Sequence, residues 1–134
     1  MSGTEAFFDT NVLLYLGSSD DRASRAEALV SRGGVISIQV LDEVASVASR
    51  KFKAPWPAIY VLLTGIRMNL VVRSVDLEGH DLGLRIAERY GYSVYDSMLL
   101  AAALQADCTT FYSEDLHNGQ VIENALTIRN PFAA

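Results

Sequence analysis

Asp9, Glu43, Asp96 and Asp115 are the residues of this 134-residue chain whose types and surroundings fit chemistry at one shared centre. Carboxylates gathered at one place repel one another unless a multivalent cation holds them together. A ligand set made wholly of oxygen selects a hard ion, Mg²⁺ or Mn²⁺, over zinc. His80 and His117 have no zinc-binding spacing with each other or with Cys108. A hard-ion site suits phosphoryl chemistry, because the metal polarises a phosphate, lowers the pKa of bound water and stabilises the leaving oxygen.

Each acid has a structural reading beside the chemical one. Phe7-Phe8 reads as the end of a buried strand, and Asp9 follows it at once. Asn11 then precedes Val12 to Leu16 and Gly17, the pattern of an N-cap, a short helix and a glycine stop. Asp9 thus stands at the carboxyl end of a strand, the edge where open α/β sheets bind ligands; the alternative is a turn closed on its own backbone. On a helix from about Val40 to Lys51, the residues Val40, Leu41, Val44, Ala45, Val47 and Ala48 share one arc. Glu43 borders that arc and Asp42 points away, so Glu43 faces inward, or else pairs with Arg50 or water.

Ser93-Val94-Tyr95-Asp96 fits a capping box, yet Asp96 also shares the buried face of Leu99, Leu100 and Ala103, where a carboxylate is costly unless paired or bound to a cation. Asp115 follows a strand ending at Tyr112, with the Ser113 hydroxyl beside it, at the edge that holds Asp9; alone it would be an ordinary turn residue.

The elements that position these acids alternate. A helix capped by Asp20 or Asp21 runs through Ala23, Ala26, Leu29 and Val30 to Gly33-Gly34, and Val35 to Ile38 forms a β-branched strand. Pro55 and Pro57 open a helix through Ile66. Leu70 to Val72 is a third strand, and Asp76 to Tyr90 is a helix stopped by Gly91. Val94 to Ala106 is a helix apolar almost all round and therefore buried. Cys108 to Tyr112 is a fourth strand and Ala125 to Ile128 a fifth. The expected fold is α/β: one domain over residues 1–134, three layers (α/β/α), with a mostly parallel sheet of about five strands.

Half the residues are hydrophobic, which excludes a disordered chain, and no apolar stretch approaches the length of a membrane span. No charged-then-apolar leader opens the sequence. Cys108 is the single cysteine and has no internal disulfide partner, so a reducing cytoplasm is the expected compartment. Eleven Lys and Arg against sixteen Asp and Glu give a net charge of −5. Proteins that grip nucleic acid by neutralising phosphates are usually basic; here nine of the eleven cations are arginines, spread from Arg22 to Arg129.

The order Asp9-Thr10-Asn11, Gln39-Val40-Leu41-Asp42-Glu43, Tyr95-Asp96-Ser97-Met98-Leu99-Leu100 with its alanine run, and Ser113-Glu114-Asp115-Leu116 resembles a PIN domain. It is most similar to the VapC-type toxins of prokaryotic toxin–antitoxin pairs, over essentially the whole chain. The resemblance implies a PIN-like α/β fold and a Mg²⁺- or Mn²⁺-dependent endoribonuclease. Asp9, Glu43, Asp96 and Asp115 match the family's acidic quartet, with Asp9, Asp96 and Asp115 as metal ligands, and Asn11 and Ser113 match its supporting polar positions. It also implies in-line attack by water on an RNA phosphodiester, a homodimer and a small cognate antitoxin. For that antitoxin, the helix from Pro55 to Met68 offers Trp56 and Tyr60 as interface anchors, with ordinary core packing as the alternative.

Two rival classes share some of these features. A phospho-receiver domain has a parallel sheet and an acidic Mg²⁺ pocket, but it needs a lysine at the end of a late strand. The only lysines here are Lys51 and Lys53, at mid-chain. A non-catalytic binding module on the same fold is the second rival, and an intact acidic quartet argues against it.

Overall fold

The computed structural model describes residues 5–133. Six strands form one sheet in the order β3-β2-β1-β4-β6-β5. These are β1 (Ala6–Phe8), β2 (Val35–Ser37), β3 (Val71–Arg73), β4 (Thr110–Tyr112), β5 (Val121–Ile122) and β6 (Leu126–Arg129). Every pairing is parallel except β5 with β6. The helices are α1 (Thr10–Leu13), α2 (Arg22–Ser31), α3 (Ile38–Arg50), α4 (Trp56–Asn69), α5 (Leu77–Tyr90) and α6 (Val94–Gln105). The architecture is a three-layer α/β/α fold, as expected from the alternation of strand and helix signals.

The centre of the sheet is apolar on both faces, as parallel strands covered by helices require. Phe7, Phe8, Ile36, Phe111 and Ile128 are completely buried. Register puts Phe7 opposite Phe111 and Phe8 opposite Tyr112, and the Phe7 and Phe111 rings stack with centroids 5.3 Å apart. Helix α6 is buried along Ser97 and Leu99 to Ala103. Among the described residues no helix is long and apolar enough to cross a membrane.

Several boundaries differ from the sequence expectation, and four of them have a clear local cause. The cap of α1 is Asp9, not Asn11: in an extended conformation, Asp9 Oδ1 accepts the Thr10 N–H at 2.8 Å, which starts the helix two residues earlier and frees the Asn11 side chain. Helix α1 also stops at Leu13, and turns carry the chain to Gly17, whose φ of +76° suits glycine. Ile38 opens α3 rather than closing β2, because Ser37 already takes the extended cap position; Ile38 is accordingly half exposed. Cys108 lies before β4 and closes α6, donating its N–H to Ala103 O at 3.0 Å.

The sixth strand, β5, gave little signal: it has only two residues, and its turn to β6 uses Glu123 and Asn124 at φ of +53° and +57° instead of glycine. Tyr90 supports that turn by accepting the Glu123 N–H at 2.9 Å.

Gly34 leads into β2 at φ +152°, and a Cβ there would stand 2.7 Å from both Ala6 O and Phe8 Cε2. Neither can retreat, since both belong to the adjoining central strand. Gly34→Ala is therefore expected to cost roughly 2 kcal/mol or more by strain and overpacking, read as a fall in the chemical-denaturation midpoint with an unchanged slope.

Candidate active site

Strands β1 and β4 are parallel neighbours in register, so the residues that follow them leave the sheet side by side. Asp9 is only 5 % exposed, and its N–H donates to Tyr112 O at 2.9 Å. Its Oδ1 takes the Thr10 N–H, while Oδ2 accepts from Ser113 Oγ at 2.8 Å and from Asn11 Nδ2 at 3.2 Å. The same Asn11 amide donates to Asp115 Oδ2 at 3.0 Å, and Asn11 Oδ1 accepts the Glu114 N–H at 3.1 Å. Buried Ser113 also turns the chain, because its Oγ accepts the N–H groups of Asp115 and Leu116 at 3.1 and 3.3 Å. Asn11 and Ser113 thus join the ends of two strands into one polar edge.

Glu43 enters from α3, where Asp42 is exposed and Glu43 half-buried, as the helical arc predicts. Its partner is not Arg50: the Tyr95 hydroxyl donates to Glu43 Oε1 at 2.8 Å. Asp96, half-buried, lies in the first turn of α6. The cap there is made by its backbone N–H, which donates to Ser93 Oγ at 3.0 Å. Capping and a chemical role for the carboxylate are therefore compatible.

The acids act on one another electrostatically. Asp9 has its pKa pushed up to about 6, mainly by burial; hydrogen bonds from Ser113 and Thr10 pull it down, and the charges of Asp96 and Asp115 push it up. Asp96 is raised too, first by burial and then by Asp115 and Glu43, against the lowering effect of Ser93. Each of the four acids therefore belongs to one electrostatic group, open to solvent at Asp115.

Among the described residues no three His, Cys, Asp or Glu side chains are gathered closely enough to enclose an ion as they stand. A full cage is not what Mg²⁺ needs, since it keeps several waters and takes one or two carboxylates directly. The donor set, carboxylate and hydroxyl oxygen with no thiolate or imidazole among them, fits a hard divalent cation. The hydroxyl of Ser97, next in sequence to Asp96, is buried without a hydrogen-bond partner, and that of Thr10, next to Asp9, is buried near Tyr95.

A family model for the PIN domain matches residues 6–120. The chain belongs to the PIN-domain family. Solved structures agree in fold. The Mycobacterium tuberculosis toxin VapC20, a sarcin-ricin-loop-cleaving toxin, shares 21 % identity at a TM-score of 0.66, over 82 % of this chain and 91 % of its own. A toxin–antitoxin complex from Klebsiella pneumoniae gives 18 % and 0.70, over 96 % and 99 %. VapBC2 from Rickettsia felis, bound to a DNA fragment from its promoter, gives 17 % and 0.69, over 93 % and 97 %. At these identities the likeness speaks to the fold. No curated protein sequence matches the chain.

Sequence reasoning passed over two groups beside the acids of this PIN domain. Tyr95 carried a signal, standing one residue before Asp96, but its reach to Glu43 spans 52 positions. Tyr15, Arg22 and Glu114 form a cluster across 99 positions, which no local pattern could announce.

The raised pKa of Asp9 fixes the sign of a pH effect. Its folded-state value of about 6 exceeds the ordinary 3.8, so the native state holds the proton more tightly than the unfolded chain. The contribution to stability is complete below pH 3.8 and is lost as pH rises through 6, to a total of about 3 kcal/mol. With chelator present, melting curves across that range should show this loss, and Asp9→Asn should flatten it. An unchanged slope in Asp9→Asn would mean the carboxylate is not ionising in a buried site.

Proposed function

We propose that this PIN domain is a Mg²⁺- or Mn²⁺-dependent endoribonuclease that acts as the toxin of a toxin–antitoxin pair in the cytoplasm. The observation that carries the reading is the Asn11 amide donating to Asp9 and Asp115 at once. It ties two acids 106 positions apart in sequence to one edge, where Asp96 also acts electrostatically on Asp9. VapC20, described as cleaving the sarcin-ricin loop, supports RNA as the substrate class.

In this reading Asp9, Asp96 and Asp115 hold the cation. When bound, it supplies a lowered pKa to the attacking water and neutralises charge on the phosphodiester. Glu43, oriented by the Tyr95 hydroxyl, takes the proton from that water as its oxygen attacks phosphorus. The P–O3′ bond opposite the attack breaks, leaving a 5′-phosphate and a 3′-oxygen that takes a proton from solvent to become the hydroxyl. Asn11 and Ser113 contribute by orientation, holding Asp9 and Asp115 through hydrogen bonds.

The chemistry is tested with the purified chain freed of any partner. It should cleave RNA with Mg²⁺ or Mn²⁺ and stop with chelator. Asp9→Ala and Asp96→Ala should each remove nearly all activity, because groups of one centre act as a unit. Full activity in EDTA refutes the metal-dependent reading, and no cleavage under any condition favours a non-catalytic binding module.

The partner in this reading is a short antitoxin that presents Arg or Lys to the acids, pairing them in place of metal or phosphate. The Klebsiella pneumoniae and Rickettsia felis structures, both toxin–antitoxin assemblies, support such a partner. Trp56 and Tyr60 on α4 are 57 % and 64 % exposed, so they are not core residues. Their ring centroids lie 6.1 Å apart, and Ile59 and Leu62 of the same helix line a cleft of about 650 Å³ together with Leu16 and Phe52. Replacing Trp56 and Tyr60 by alanine should weaken antitoxin binding by roughly 2 kcal/mol each while sparing nuclease activity. Binding unaffected by both would move the interface elsewhere. A homodimer is part of the same family-based reading.

A further inference from the structure

Beside the acids, between α1 and α2, stands a second polar cluster with a different composition. The Tyr15 hydroxyl donates to Glu114 Oε1 at 2.6 Å, and Arg22 Nη1 lies 3.4 Å from Glu114 Oε2. Arg22 also donates to the Tyr15 hydroxyl, and its guanidinium sits over the Tyr15 ring, 5.1 Å from the centroid. Asp20 Oδ1 approaches the other side of that guanidinium, 3.8 Å from Nε. The Tyr15 ring is fixed in turn by an edge-on contact with Phe132 at 5.1 Å.

Glu114 is therefore held twice. Its backbone N–H is bound by Asn11, and its side chain by Tyr15 and Arg22. Two consequences follow from its place between Ser113 and Asp115. First, its charge is matched by Arg22 rather than added to the neighbouring acids. Second, consecutive Cα atoms are separated by a fixed ~3.8 Å, so pinning Glu114 from two directions restricts where exposed Asp115 stands. Isolated exposed ion pairs add little to stability. A phenol, a guanidinium and a carboxylate locked against a fixed ring instead define a geometry.

We propose that Tyr15, Arg22 and Glu114 form a clamp that sets the position of Asp115 and thereby the cation affinity of the Asp9, Asp96 and Asp115 group. They are positioning residues that touch neither substrate nor cation. The inference rests on the reading of those acids as a cation site.

The test uses Mn²⁺ alone, titrated calorimetrically into the chelator-treated full chain, with melting temperature as a second readout. Tyr15→Phe keeps the ring and removes the phenol, and Arg22→Gln changes an exposed side chain. Each is expected to weaken the Mn²⁺ Kd, roughly tenfold for Tyr15→Phe. The double variant should lose less than the product of the two, since both act through Glu114. Unchanged Kd values in both variants overturn the clamp, even if Tyr15→Phe melts lower without metal, because a merely structural role lowers stability and leaves affinity alone. Should Tyr15→Phe fail to fold, Arg22→Gln decides. Absence of Mn²⁺ binding by the parent overturns the cation reading and the clamp with it.

Discussion

A carboxylate buried at the end of β1 is the constraint around which this edge of the molecule is built. Asp9 is almost inaccessible to water, and an ionised group in that position is unfavourable unless hydrogen bonds replace its hydration. Three donors do so: the Thr10 N–H, the Ser113 hydroxyl and the Asn11 amide. Yet burial and the like charges of Asp96 and Asp115 still outweigh them, since the pKa remains raised to about 6. A site optimised for stability would hold a neutral residue here. Strain of this kind is found where function is retained at the expense of stability.

Topology brings the other acids to Asp9. Parallel pairing of β1 with β4 places Ser113 beside it although 104 positions separate them. Helix α6 leads into the start of β4, so it runs back across the sheet and begins at the carboxyl edge. Its 12 residues span about 18 Å at the ~1.5 Å rise of an α-helix, enough to cover the three-residue strands beneath. Asp96 in its first turn is thereby carried to the edge where β1 ends. The amino terminus of that helix also favours negative charge, which offsets part of the repulsion among the acids. The second strand does the same for Glu43, which lies about one and a half turns into the helix that follows Ser37.

Much of this was legible because it depends on periodicity. The alternation of apolar runs and glycine stops located five of the six strands, and the 100° step along α3 separated Glu43 from Asp42. What could not be read were choices between equal local options. Asp9 and Asn11 are both good caps, but the Asn11 Oδ1 that would cap a helix accepts the distant Glu114 N–H, and Asp9 caps instead. Val121-Ile122 is too short to carry a period, and its turn hides its left-handed residues in Glu123-Asn124. The Tyr15 cluster depends on a ring held by Phe132 near the far end of the chain, which no window of sequence contains. The acidic grouping itself was visible only as a constellation, since every member had an adequate structural explanation alone.

The net charge of −5 takes on meaning once the acids are seen together. Sixteen acids less the four of this group leave twelve against eleven cations, so nearly all the excess sits at one edge. Arg22, which reaches Glu114 beside the site, is already engaged by Glu114 and Asp20. On the proposed reading, a phosphodiester approaching the bare group meets repulsion, and one approaching the cation-bound group meets a neutralised surface. Substrate affinity would then be conditional on the cation, in contrast to basic nucleases whose grip comes from released counterions. Acidity and nucleic-acid binding cease to conflict when the positive charge that meets the phosphate is borrowed from solution.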